Sequence, residues 1–164
     1  MYSFSEGLSV TKSGTEEILR WMRKRRETLK IQNFENDRAY QRHDVDYIWV
    51  TKNNIHLVEI KVDRYGYTGN FFLETQSCKE KNTPGCFIYT KSTLFFYYFQ
   101  QIKKLYVLPM PLTRQWFLER EESFPQRETT TLLPDGDVYT TVGRLVPIIR
   151  VVQEIPEVRE IVLT

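Results

Sequence analysis

Cysteine is nearly missing from this chain: Cys78 and Cys86 are the whole complement, eight positions apart across a stretch that contains Pro84 and Gly85. No second pair of thiols or histidines stands at zinc spacing, so the two read as reduced structural thiols rather than as a disulfide or metal ligands. Histidine is as scarce, with only His43 and His56. His56 reads as a hydrogen-bonded core residue, whereas His43, just before Asp44, stands where it can approach any site formed nearby. No segment approaches the roughly 18 uninterrupted apolar residues of a membrane-crossing helix. The first residues, with Ser3, Ser5 and Glu6, lack a basic-then-apolar leader. The expectation is an intracellular, cytoplasmic protein with no membrane contact, from a prokaryote or from a phage in its host's cytoplasm. Repeats and low-complexity tracts are also missing. The net charge of +2 is too small to announce a nucleic-acid partner by itself.

What is present is enough apolar material for one packed domain. With 164 residues, 41% of them hydrophobic and 14% aromatic, the chain is too short for two comfortable cores, so residues 1–164 are expected to form a single domain. Its most informative stretch is Asp46-Tyr-Ile-Trp-Val-Thr-Lys-Asn-Asn-Ile-His-Leu-Val-Glu59-Ile-Lys61, where two acids and a lysine interrupt a β-hairpin pattern. Residues two apart on a strand point to the same face about 6.6 Å apart, so Glu59 and Lys61 share a face. Their strand, Ile55 to Val62, has apolar residues on both faces, as expected for a sheet covered on both sides. The preceding strand, Val45 to Thr51, joins it through Lys52-Asn53-Asn54, whose asparagines tolerate positive φ. A turn at Lys52-Asn53 sets Asp46 opposite Glu59; one at Asn53-Asn54 sets it opposite Lys61. Either register gathers all three charges on one face, whereas a plain three-residue loop would send Asp46 to the other unless a bulge intervened.

Two carboxylates suit Mg²⁺, which prefers hard oxygen ligands and keeps several waters. Such an ion acidifies a bound water and offsets charge on a phosphorus under attack. Lys61 would add positive charge beside the attacking water or the phosphate oxygen, and burial would make it readier to exchange a proton. The competing account is a cross-strand ion pair between Asp46 and Lys61, worth at most about 1 kcal/mol if exposed. Against it, Ile48, Val50, Ile55 and Leu57 share that face, and charge beside an apolar surface is costly unless paired or liganded.

Asp46, a gap of about a dozen residues, then Glu59-x-Lys61, with the acids on adjacent strands, resembles the PD-(D/E)XK nuclease superfamily; Val45 stands where that pattern often has proline. The resemblance spans about residues 44–99. Thr68-Gly-Asn70 through Glu74 and Thr83-Pro-Gly-Cys-Phe-Ile-Tyr89 is similar to phage and cyanobacterial members. The resemblance implies an α/β fold of the restriction-endonuclease-like class: an α-β-β-β-α-β core over about residues 13–110, with a mixed central sheet flanked by helices. It also implies a Mg²⁺-dependent DNA endonuclease, with Mn²⁺ as a substitute ion. In that reading Asp46 and Glu59 hold the metal, and Lys61 serves the water or the scissile phosphate. Duplex or branched DNA would be the substrate. Cutting both strands is easiest with two copies of the site, so a homodimer is expected. A nucleic-acid-binding or assembly protein that keeps the fold without turnover is the alternative, and an RNA-directed nuclease a weaker one.

Further candidates follow from the pattern along the chain. Ser13-Gly-Thr-Glu16 has capping-box spacing and predicts a helix from about Gly14 to Leu29, with Ile18, Leu19, Met22 and Leu29 as its apolar side. The resemblance offers Glu16 or Glu17 as an acid contributed by this helix; stabilising the helix start is the other role for either. Arg20, Arg23, Lys24, Arg25 and Arg26 crowd one stretch and are candidates for phosphate contact, a solvated face being the alternative. A polar loop is expected from Ile31 to Arg42. Phe71 to Thr75 is expected as the third core strand, with Glu74 facing the same cleft as Glu59, and Asp44 and Asp63 are further supporting acids. The aromatic run Phe95 to Phe99 is assigned to a helix from about Lys91, followed by a buried strand from Lys104 to Pro109. Residues 111–164 are expected to hold a short helix around Arg114 to Arg120, a β-hairpin centred on Pro134-Asp135-Gly136, and an edge strand from Val142 to Val152.

Overall fold

The structure is a computed structural model that describes the backbone of residues 2–164 and the side chains of residues 7–164. Chain order is β1 (Tyr2–Ser3), α1 (Phe4–Lys24), β2 (Thr28–Asn33), α2 (Arg38–Gln41), β3 (Tyr47–Thr51), β4 (Ile55–Asp63), β5 (Asn70–Cys78), β6 (Thr83–Pro84), α3 (Cys86–Tyr89), β7 (Leu94–Phe99), β8 (Lys104–Pro109), α4 (Leu112–Leu118), β9 (Gln126–Leu132), β10 (Val138–Pro147), α5 (Ile148–Glu154) and β11 (Arg159–Val162). The fold is α/β. A six-stranded mixed sheet has the order β11-β8-β7-β4-β3-β2, and a second, five-stranded sheet the order β1-β9-β10-β5-β6. Among the described residues no helix is long and apolar enough to cross a membrane.

The six-stranded sheet is covered differently on its two faces. Ile18, Leu19 and Met22 of α1 pack on Tyr47, Trp49, Val58, Ile60, Phe96 and Tyr98. On the other face Phe95, Tyr97 and Phe99 meet Phe71 and Leu73 of β5, Phe87 of α3, Phe117 of α4 and Val146 of β10. A helix therefore covers one side, as expected, but a second sheet with short helices covers the other.

The aromatic run is a strand, which corrects the expected helix. Phe95, Tyr97 and Phe99 turn to one core and Phe96 and Tyr98 to the other, all five fully buried. A strand buried on both faces shows no alternation of polarity, so periodicity could not separate it from a helix. β7 runs parallel to β4, pairing Phe95 with Glu59 and Tyr97 with Lys61.

Four other expectations shift. α1 begins ten residues earlier than the capping-box pattern implied, because Ser13 and Gly14 lie within the helix: Ser13 Oγ donates to Val10 O, and a Cβ on Gly14 would lie 2.5 Å from Val62 Cγ1. Gly14 is a close-approach residue rather than a helix start. The helix ends at Lys24, and Leu29, expected on its apolar side, is an exposed residue of β2. The predicted loop from Ile31 to Arg42 holds the end of β2 and the Asp37-capped α2. β5 is a strand, as predicted, but it belongs to the second sheet, where it pairs with β10. That pairing leaves β10 between β5 and β9, so it is no edge strand, and Pro147 closes it ahead of α5. The hairpin turn at Pro134-Asp135-Gly136 stands, with Gly136 at φ 90°.

These placements predict opposite costs for two large apolar residues. Phe96→Ala should cost about 3–5 kcal/mol in urea unfolding, as for other core aromatics, and Leu29→Ala should stay within about 0.5 kcal/mol. The reverse order would put Leu29 back in a core.

Candidate active site

The β3–β4 hairpin settles the register that the sequence left open. Tyr47 pairs with Val58 and Val50 with Ile55, and Thr51 N–H donates to Asn54 O at 2.8 Å, so Lys52-Asn53 form the two-residue turn. Carried one step further without interruption, this register would set Asp46 opposite Glu59. Asp46, just ahead of β3, also donates its N–H to Val58 O at 2.9 Å, so two successive residues address Val58, as in a β-bulge. Its Oδ2 accepts the Ile60 N–H at 2.9 Å, which ties the carboxylate to the backbone of the neighbouring strand. Val58 and Ile60 face α1. Glu59 and Lys61 therefore project to the opposite side, toward the second sheet.

Burial governs the electrostatics. Glu59 is only 9% exposed, and its Oε2 is enclosed without a hydrogen-bond partner. Desolvation, reinforced by the charges of Asp46 and Asp44, pushes its pKa well above the ordinary carboxylate range, and Lys61 only partly offsets this. Burial likewise lifts Asp46 to about 6, against the lowering effect of the Ile60 hydrogen bond. Asp44, at φ 45°, is raised by burial and by Glu74, while a hydrogen bond from Tyr89 works the other way.

Lys61 differs from expectation. Burial alone would lower its pKa, but Glu74, reaching over from β5, forms an ion pair with its Nζ and holds the ammonium firmly protonated. Both side chains are about one-fifth exposed, at 18% and 20%, and Nζ lies 5.5 Å from the centre of the Phe72 ring. Lys61 is thus a fixed positive charge rather than a proton exchanger. Glu74 is fixed in turn: a Cβ on Gly85 would stand 2.2 Å from Glu74 O, so only glycine lets α3 come this close to β5.

The remaining candidates divide by face. Asp63 accepts the Tyr97 hydroxyl at 2.6 Å and the Tyr65 N–H at 2.8 Å, which makes it a support for the loop after β4. Glu17 is corrected: it is on the α1 side of the sheet, taking Lys103 at 2.8 Å and the Tyr98 hydroxyl. Glu16 is exposed, and its charge is felt at the Tyr47 hydroxyl rather than at Glu59. Arg20, Arg23, Lys24, Arg25 and Arg26 are exposed on or just after α1, behind the sheet from Glu59 and Lys61, so they do not line this site. His43 is exposed, and His56 packs against Trp49 on the α1 side, where burial lowers its pKa. Two neighbours escaped the sequence reading. Cys86 lies among Glu74, Lys61, Glu59 and Asp44, and its thiol is pushed well up by burial and by Glu74. Tyr89 is the partner of Asp44. Both come from α3, whose place beside β5 depends on a contact between distant parts of the chain.

Among the described residues no three His, Cys, Asp or Glu are gathered as a metal cage. Mg²⁺ needs less protein than that, since one or two carboxylates serve it when water and phosphate oxygens complete the shell. The orphaned Glu59 Oε2 beside Asp46 fits such a hard cation, which would offset the cost of burying both charges. Compared with protein-family models, with curated proteins and with solved structures, the chain matches none.

The pKa directions predict that the site destabilises the metal-free chain. Asp46 rises from 3.8 to about 6, so its protonated form is favoured by folding. The benefit is full below about pH 4, and about 3 kcal/mol of it is lost as pH rises through 6. With a chelator present at pH 8, Asp46→Asn and Glu59→Gln should each raise the melting temperature by several degrees. The gain of Asp46→Asn should vanish at pH 4. Lower melting temperatures for both variants at pH 8 would mean that the carboxylates stabilise the fold.

Proposed function

We propose that this chain is a metal-dependent nuclease of the PD-(D/E)XK type that hydrolyses phosphodiester bonds in DNA, with Asp46 and Glu59 as metal ligands and Lys61 as the phosphate-facing cation. The observation that carries the proposal is the buried, partnerless Glu59 Oε2 set across the hairpin from Asp46, with Lys61 two residues along the same strand face. An unpaired buried carboxylate is expensive, and it persists where a ligand compensates. Element order is compatible with the same reading: α1, the antiparallel β2, β3 and β4, the four-residue α3 and then β7 parallel to β4 run as helix, three strands, helix and strand, once α2 between β2 and β3 and the β5–β6 pair are counted as insertions.

Asp46 and Glu59 would hold Mg²⁺ or Mn²⁺, which supplies a more acidic water and positive charge for the phosphorus under attack. Both acids must be ionised to bind it, so metal affinity rises with pH through the raised range of the pair. Lys61, kept protonated by Glu74, stabilises the negative charge that gathers on the non-bridging phosphate oxygens. It serves the phosphate as a charge and does not act as the base toward water. Ile60 N–H keeps Asp46 turned toward Glu59, and the ion pair from β5 keeps Lys61 from swinging into solvent.

The non-catalytic alternative, a nucleic-acid-binding or assembly protein, is favoured by one observation: the Lys61–Glu74 pair satisfies both charges without a substrate. Incubation with supercoiled plasmid and with branched DNA, in Mg²⁺ or Mn²⁺, separates the two. The nuclease reading predicts nicked and linear products, and losses of at least about 100-fold in Glu59→Gln and Lys61→Ala. Retained folding with no cleavage by the native chain in either ion supports the alternative. RNA competitors test the preference for DNA, and gel filtration on DNA tests the homodimer.

A further inference from the structure

The site face and the α1 face carry opposite charge. Around Lys61 stand the acidic residues Asp44, Asp46, Glu59 and Glu74, with no further cation among them. Behind the sheet two clefts adjoin along α1 and share Trp21 as a common wall. The first, about 250 Å³, is lined by Arg20, Lys24 and Lys103 with Glu17; the second, about 510 Å³, by Arg25 and Arg159 with Glu27 and Glu160.

Each acid in these clefts is already engaged. Glu17 takes Lys103 at 2.8 Å, Glu27 takes Arg25 at 2.8 Å, and Glu160 takes Lys104 at 2.8 Å. Arg20, Lys24 and Arg159 form no ion pair among the described residues, whereas Arg23 and Arg26 are exposed but line neither cleft. The clefts thus hold three cations free of ion pairs, Arg20, Lys24 and Arg159, in a chain of net charge only +2. The groove also has nucleotide-recognising chemistry besides charge. Trp21 is partly exposed at the junction with the Arg25 guanidinium 5.5 Å from its ring centre, and Asn53, Asn54 and Thr51 supply donors and acceptors at the far end. A backbone-tracking line of cations interrupted by an aromatic platform is how single strands are held without sequence preference.

We infer that the groove along α1 is a metal-independent binding track for single-stranded nucleic acid, separate from the acidic site on the other face of the sheet. Arg20, Lys24 and Arg159 neutralise successive phosphates, and Trp21 carries a base. Naming nucleic acid as the polyanion rests on the nuclease reading; the track itself rests on the charge and shape of the α1 face.

Fluorescence anisotropy of a labelled oligothymidylate, titrated with the full chain in EDTA, tests the inference, because metal-supported chemistry does not contribute. The expected result is saturable binding that Arg20→Glu/Lys24→Glu weakens at least tenfold. The slope of log affinity against log salt should fall by about 1.4, the loss of two single-strand phosphate contacts. Lys81→Glu/Arg127→Glu makes the same change in net charge at exposed positions outside the clefts and should bind as the native chain does. Thermal melting checks that both pairs fold, and Arg159→Glu repeats the test from a different element. Equal loss in both pairs, no binding in EDTA, or binding to phosphatidylglycerol vesicles with none to the oligonucleotide overturns the inference. Failure of the nuclease reading looks different: binding in EDTA persists and is lost with Arg20→Glu/Lys24→Glu, while no metal supports cleavage.

Discussion

The structure turns on one buried carboxylate oxygen, Oε2 of Glu59, that has no hydrogen-bond partner. Glu59 stands at the middle of β4 with one oxygen partnerless, and Asp46, just ahead of β3, is pinned to the backbone of Ile60 beside it. Burial and the charge of Asp46 make Glu59 harder to ionise, and burial does the same to Asp46. Such an arrangement is costly, because a buried carboxylate oxygen without a partner has given up water with nothing in its place.

The rest of the molecule keeps that hairpin from relaxing. β7 locks β4 from the side, and its five aromatic residues lock it from above and below by filling both cores. The second sheet brings Glu74 over Lys61, and Gly85 lets α3 approach closely enough to deliver Cys86 and Tyr89 to the same neighbourhood. On the opposite face α1 presents a basic groove, so an acidic and a basic surface are separated by one layer of sheet.

Local chemistry was legible in the sequence, and long-range assembly was not. Asp46, Glu59 and Lys61 were found because strand periodicity and turn length determine which side chains share a face, and the hairpin obeyed one of the two anticipated registers. Glu74 was foreseen as a neighbour of that face, but its ion pair with Lys61 requires β5 to leave the first sheet and join β10, which no local signal announces. The aromatic run failed as a helix because a strand buried on both faces has no polar side to betray its period. Gly14 failed as a helix start because its small size answers to Val62, 48 positions away in the chain. The basic cluster was legible as an exposed stretch, but its place behind the sheet from Glu59 was not, since which side of the sheet α1 covers is decided by packing.

Manganese binding followed by electron paramagnetic resonance tests the central claim most directly, because the free ion's signal falls as carboxylates capture it. Titrated at pH 8, the native chain should bind Mn²⁺ at a site that is lost in Asp46→Asn and equally in Glu59→Gln, and that weakens as pH falls below about 6. Binding that survives both substitutions, or none in the native chain, would contradict the account.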